Sequence, residues 1–289
     1  MAEIKIAGIM RAGNFSPNHI GNDAAILNSV VEQLRKRGCE VNTYSEEQFC
    51  SGAVKEHIIL NMCREAQSIR QLQEREDAGD LVINSGYGIE NCLRERMARI
   101  FIGSGIPYPQ SLIVRTDEGI REAMAANKIG RCWIKRGDSF TEHHEDVTRV
   151  RHAEEAQEIL QEFFLRGIKR AVINRHLEGD VIKFYGVAGT PFFYWINPSE
   201  DPSARFNLAP QQHRTPDFDV EALKATCIRA AEIMDVLVYG GDAVIAPDGQ
   251  FTIIDFDDWP SFAPCRAEAA PQIAKLTMKL IKEHIKTKR

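Results

Sequence analysis

The sequence predicts an α/β protein that opens with a small parallel sheet and continues into mixed segments of strand and helix. Three observations carry this. Short β-rich runs alternate with helix-periodic runs through the first third of the chain. The later part holds strands that follow one another without helices between them, and one pair reads as a hairpin. The composition is that of a globular protein, with 44% hydrophobic and 27% charged residues over 289 positions. That length suits about two domains.

The elements follow in order. Ile4 to Ile9 is β-rich, and the loop from Arg11 to Asn22 carries Gly13, Pro17 and Gly21. From Asp23 to Arg37, Ile26, Val30, Val31 and Leu34 fall at helical spacing, and Gly38 stops the helix. Val41 to Tyr44 reads as a strand, the region from Cys63 to Arg75 as a helix, and Leu81 to Ile83 as a buried strand. One helix is expected from Ile89 to Gly103, closed by Gly105 with Pro107 and Pro109 beyond it. Then come a strand (Ser111 to Arg115), a helix (Glu118 to Asn127), a strand (Arg131 to Lys135), an open loop (Arg136 to Asp146), a helix (Ala153 to Arg166) and a strand (Ala171 to Asn174). Strands are expected again at Asp180 to Val187 and Phe192 to Ile196. Pro198 to Pro216 is polar and aperiodic, a loop long enough to suggest a lid. A helix (Asp219 to Met234), a hairpin around Pro247-Asp248-Gly249 and a terminal helix (Ala267 to Lys286) complete the chain.

Charge and cysteine usage narrow the class. Thirty-six Lys and Arg against 41 Asp and Glu leave a net charge of −5, which disfavours nucleic acid as a partner. Seven cysteines with no C-x-x-C spacing argue for reduced thiols in a cytoplasmic protein rather than a disulfide or zinc framework. No signal peptide and no run of about 20 apolar residues is visible, so no membrane is expected.

The hairpin GGDAVIAPDGQFTIIDFDDWPSF is the most informative segment. Asp255 and Asp257 share one strand face while Phe256 takes the other. A two-residue Asp-Gly turn would set Asp242 directly opposite Asp255; a Pro-Asp turn with Gly in a bulge would shift that register by one. In either register carboxylates crowd one end of an apolar hairpin, and a divalent cation with hard oxygen ligands relieves that crowding.

This hairpin resembles the metal-binding end of the ATP-grasp superfamily. Four further segments resemble the family in the same order: NCLRERMARIFIGSGIPYPQS, RCWIKRGD, AVINRHLEGD and VIKFYGVAG. The resemblance spans about Asn84 to Ser261. It implies an N-terminal Rossmann-like unit (1–90), a linker helix with a central α+β lobe (91–175), and a C-terminal α+β lobe with the hairpin (176–289), the two lobes sandwiching ATP. It implies Mg²⁺, with Mn²⁺ as the alternative, on Asp242, Asp255 and Asp257. It places the nucleotide against Arg94, Lys135, Asn174, His176, Glu178, Asp180 and Lys183, with Glu178 and Asp180 as rivals for the ribose.

The sequence also departs from the family. Arg94 stands where lysine is usual, Asn174 where Glu or Gln is common, and the loop after Lys135 holds only Gly137. Gly240 and Gly241 occupy the place of a common arginine before the first metal acid, so the charge-stabilising arginine is expected elsewhere, at Arg205. With Lys183, it forms the expected catalytic pair. Arg11, Asn14, His19 and the stretch from Asn84 to Tyr87 are candidate substrate contacts, because they end strands of the parallel sheet. His143 and His144 have no assigned role.

The resemblance implies an ADP-forming ligase that activates a small-molecule carboxylate as an acyl phosphate for attack by an amine or similar nucleophile. A small-molecule kinase is the first alternative, since polyol-phosphate kinases of this fold carry a strand like Lys183-Phe184-Tyr185. A non-catalytic ATP-binding protein is the second. A homodimer is an arrangement the sequence leaves open.

Overall fold

The computed structural model describes residues 4–15, 20–141, 143–198 and 215–287. The first unit runs β1 (Lys5–Met10), α1 (Ile20–Arg35), β2 (Glu40–Ser45), α2 (Glu46–Cys50), β3 (Ile58–Asn61), α3 (Ala66–Asp77), β4 (Leu81–Ile83) and α4 (Gly86–Asn91). Its sheet has the order β2-β1-β3-β4 and is parallel throughout. α1 buries Ile26, Leu27, Val30 and Leu34 completely, the face its periodicity predicted.

Two elements here escape the sequence reading. β3 is only four residues long and alternation is absent, because the strand is central and buried on both faces. α2 is five residues, fixed by a capping box in which Ser45 and Gln48 satisfy each other's backbone N–H. The single helix expected over Ile89 to Gly103 is two, α4 and α5 (Arg94–Ser104), broken at Cys92 and Leu93. The break places Arg94 in the first turn of a new helix. α5 ends at Gly105 with φ 66°, where glycine carries no Cβ penalty.

The second unit comprises β5 (Ser111–Arg115), α6 (Arg121–Ala126), β6 (Cys132–Arg136), β7 (Val147–Val150), α7 (Ala153–Leu165) and β8 (Arg170–Arg175). β7 was not expected. The sheet is antiparallel in the order β5-β8-β6-β7. Ile134 and Ile173 join Met124, Leu160 and Phe163 in one core beneath the helices. Alternation then sends Trp133 and Lys135 to the opposite face.

The third unit comprises β9 (Asp180–Val187), β10 (Phe193–Ile196), α8 (Val220–Met234), β11 (Val238–Ile245), β12 (Phe251–Asp258) and α9 (Arg266–Thr287). Its antiparallel sheet has the order β10-β9-β11-β12. Phe256 is fully buried, stacked on Tyr239 at 5.3 Å and edge-on to Phe101 at 5.9 Å, so β12 cannot rotate its acidic face inward.

The hairpin register has a physical resolution. The turn holds three residues, closed by Ala246 donating to Gln250 and by Gly249 at φ 83°. That alone would move Asp242 off Asp255. A bulge on β12 at Ile254 restores the pairing, so Ala243 faces Ile253 while Asp242 faces Asp255.

Asn84 joins the first and third units. Its side-chain oxygen accepts from the backbone N–H of Leu237 (3.0 Å) and Val238 (2.9 Å), and its amide donates to the Val238 carbonyl at 2.8 Å. Asn84 is fully buried and Ser85 caps α4. Both side chains expected to contact substrate are thus engaged in holding the fold. Among the described residues, no helix is long and apolar enough to cross a membrane.

Candidate active site

A cavity of about 770 Å³ opens where the three units meet. β9 lines it with Val181, Lys183 and Tyr185, the face opposite Ile182 and Phe184, which are buried in the core. β11 and β12 contribute Asp242, Asp255 and Asp257.

Lys183 lies directly across from Asp242 in the β9–β11 register, and their side chains meet at 2.9 Å. The Asp242 charge raises the Lys183 pKa, so the ammonium is fixed. Asp255 has burial against it, but Lys135, Arg94 and Lys183 outweigh that and hold its carboxyl below the ordinary range. Asp257 is different. Desolvation and then the neighbouring Asp255 push it up to about 6, although its side chain is 45% exposed to the cleft. Two crowded carboxylates, one of them hard to ionise, form the electrostatic setting that a divalent cation relieves. Among the described residues no group of three His, Cys, Asp or Glu side chains gathers as a metal cage. The structure therefore brings Asp255 and Asp257 together and ties Asp242 to Lys183. A pair of carboxylates suits Mg²⁺, which commonly takes one or two from protein and the rest from phosphate and water.

Lys135 projects from β6 across to the third unit, where Nζ donates to the Ile254 carbonyl at 2.8 Å. That carbonyl belongs to the bulged residue. Burial lowers the Lys135 pKa, and Asp255 opposes the shift. Arg94 reaches the same carboxylate, with Nη2 3.6 Å from Asp255 Oδ2. Its Nε and Nη1 are buried without a hydrogen-bond partner. Buried guanidinium N–H groups carry a large desolvation cost unless something accepts from them. Phosphate oxygens are acceptors of the right charge.

The remaining nucleotide candidates lie along β8 and the start of β9. Asn174 is buried, its amide donating to Ser111 Oγ at 2.7 Å and Tyr108 at 3.2 Å, with its oxygen unpartnered. His176 accepts at Nδ1 from the Trp133 indole at 3.1 Å, and burial then Arg149 lower its pKa. Glu178 is exposed and paired with Arg131 at 2.6 Å, while Asp180 is buried at the start of β9. Arg205 and His19 lie outside the described residues, as does the His144 side chain. His143 is exposed, and Asn14 is exposed beside β1.

Several residues at the cavity were not singled out from sequence. Arg64, just after β3, donates from Nη2 to the Asp258 carbonyl at 3.0 Å and sits 2.9 Å from the Asp258 carboxylate. Phe140, in the loop after Lys135, lays its ring 4.0 Å from the Arg64 guanidinium. That loop is anchored by buried Asp146, which pairs with Arg166 and lies 3.7 Å from Arg136. The signal for Arg64 was a basic residue at the carboxyl end of a parallel strand, hidden because β3 itself went unread. Gly240 and Gly241 carry no side chain for a steric reason. A Cβ at Gly240 would lie 2.7 Å from Pro260 Cγ and 2.9 Å from the Phe184 carbonyl; one at Gly241 would lie 2.2 Å from the Asp255 carbonyl. Cys63 and Cys92 are buried, and burial holds both thiols protonated. All seven cysteines are free.

A parallel α/β unit followed by two antiparallel α+β lobes, with a lysine from one lobe meeting an acidic hairpin of the other, is the ATP-grasp fold, and solved structures agree. D-alanine–D-alanine ligase from Bacillus anthracis, complexed with ATP, superposes with a TM-score of 0.71 at 14% identity over 98% of this chain and 99% of that one. D-cycloserine synthetase DcsG gives 0.71 at 16% identity over 96% and 99%. The ATP-grasp ligase PsnB, complexed with minimal precursor, Mg and ADP, gives 0.64 at 17% identity over 96% and 98%. No protein-family model matches the sequence, and no curated protein matches it.

Proposed function

We propose that the protein is an ATP- and Mg²⁺-dependent ligase that activates a small-molecule carboxylate as an acyl phosphate, which an amine or similar nucleophile then attacks. The observation that carries this reading is the set of charges around Asp255. Lys135, Arg94 and Lys183 converge on one carboxylate beside a second, and two of Arg94's nitrogens are buried without an acceptor. Cations that exceed what the hairpin needs, next to a carboxylate pair, fit a polyphosphate with its metal. The neighbours crystallised with ATP, and with Mg and ADP, support the same assignment.

Asp255 and Asp257 would hold the metal, and Mg²⁺ bound there supplies neutralisation of phosphate charge. Lys135 and Arg94 would bind phosphate oxygens from the side of the second unit and the linker helix. Asn174 offers a buried acceptor in place of the acidic hinge residue. Lys183, held at Asp242, presents a fixed cation to the transferring group. The side chains thus position and stabilise charge without covalent participation.

Product analysis tests this. With Mg·ATP, a carboxylic acid and an amine, the reading expects ADP and inorganic phosphate in equal amounts with loss of the amine. ADP without free phosphate would indicate a kinase instead.

A further inference from the structure

We propose that the acid activated in this cleft carries a second anionic group, and that Arg11 and Arg64 of the N-terminal unit hold it. This rests on the ligase reading and adds a substrate class to it.

Both guanidiniums line the same cavity as Asp255 and Asp257. Arg11 follows β1 and is clamped at three points: Nε on the Met62 carbonyl (3.3 Å), Nη1 on Asp23 (3.1 Å) and Nη2 on the Trp259 carbonyl (2.9 Å). An arginine has five N–H donors, so two remain for a ligand. Arg64 is held through Nη2 at Asp258, with Phe140 against its flat face. Its Nη1 lies 3.9 Å from Asp257 Oδ1, beyond hydrogen-bond distance, on the side of the carboxylate pair. Both groups are rigid before any ligand arrives, which lowers the ordering cost of binding.

The acids at this end are already engaged. Asp23 accepts from Arg11, and fully buried Asp258 lies against Arg64. Glu46 accepts from the backbone N–H groups of Ala12, Arg64 and Glu65. Of the other carboxylates that line the cavity, Asp23 is paired with Arg11 and Asp242 with Lys183, so an ammonium group placed here would meet acids already held by cations, whereas an anion would find two oriented guanidiniums. Gly240 cannot be replaced by a cation from the hairpin itself, because Pro260 fills that space. The positive groups at this end come from the N-terminal unit.

The test uses the full-length protein and straight-chain dicarboxylates from malonate to adipate. Each is compared with the ω-amino acid and the monocarboxylate of matching length, by calorimetry without nucleotide and by acid-dependent ADP release with Mg·ATP and hydroxylamine as the nucleophile that takes the acyl group. At one chain length the diacid should bind about tenfold or more tighter than both counterparts, the scale of one charge-assisted hydrogen bond. That preference should shrink to below about threefold in Arg11→Lys and Arg64→Lys, which keep the charge but lose the planar fork, each compared with wild type at a denaturant midpoint that shows it folded. In the binding measurements, three results would overturn the proposal: no diacid binding at any length, an ω-amino acid binding as well as its diacid at every length, or a preference unchanged in both variants. Arginine-dependent diacid binding without ADP release would instead count against the ligase reading alone. ADP release driven by an amino acid, with diacids inert, would sink this proposal and leave that reading standing.

Discussion

Lys135 donates to the carbonyl of Ile254, the one residue that a β-bulge leaves out of the hairpin pairing. The bulge thus does two things. It returns Asp242 to a position opposite Asp255, and it frees a carbonyl that holds a buried lysine beside both. Removing the lysine tests the arrangement. Lys135→Ala should weaken ATP binding about ten- to hundredfold, the value of a charge-assisted phosphate contact, with the change read by calorimetry.

Gly241 lies against the Asp255 backbone, and a methyl there would sit 2.2 Å from the Asp255 carbonyl. Gly241→Ala should cost about 1–3 kcal/mol by overpacking and displace Asp255. Denaturant unfolding should show the loss, and ADP release should fall further than stability alone explains.

Asn84, a candidate substrate contact by sequence, ties the first unit to the third through its side chain. Asn84→Ala leaves the Leu237 and Val238 N–H groups and the Val238 carbonyl without their side-chain partner. It should lower stability by about 2–4 kcal/mol while leaving KM for any substrate near wild type in the folded fraction. A large KM change without a stability loss would return Asn84 to the site.

His176 carries a pH dependence. Its Nδ1 accepts from Trp133, which requires the neutral ring, and burial lowers its pKa in the fold. The unfolded chain therefore takes up this proton first as pH falls. Stability contributed here is present above the unfolded histidine value of about 6.5 and is lost as pH drops through that value toward the lower folded one. As pH falls from above to below about 6.5, wild type should lose more stability than His176→Gln, read as a larger shift in denaturant midpoint.

Much of this site was legible because it depends on local pattern. Period-two alternation placed Asp255 and Asp257 on one face and Phe256 on the other, and the same rule put Lys183 beside Val181 and Tyr185. Arg64 was illegible because β3 is short, central and apolar throughout, so nothing marked its end as a binding edge. The bulge at Ile254 was equally hidden: it compensates the turn, and two opposite register shifts leave no trace in the sequence. Phe140 meets Arg64 only through tertiary packing between units. The expected role of Arg205 falls on residues outside those described.

The central claim is that Asp255 and Asp257 hold a metal that joins ATP to this cleft. Calorimetric titration of ATP with and without Mg²⁺, into wild type and into the Asp255→Asn/Asp257→Asn double variant, tests it most directly. The account predicts that Mg²⁺ tightens ATP binding to wild type about tenfold or more and has little effect on the folded double variant. Equal tightening in both proteins, or none in wild type, would contradict it.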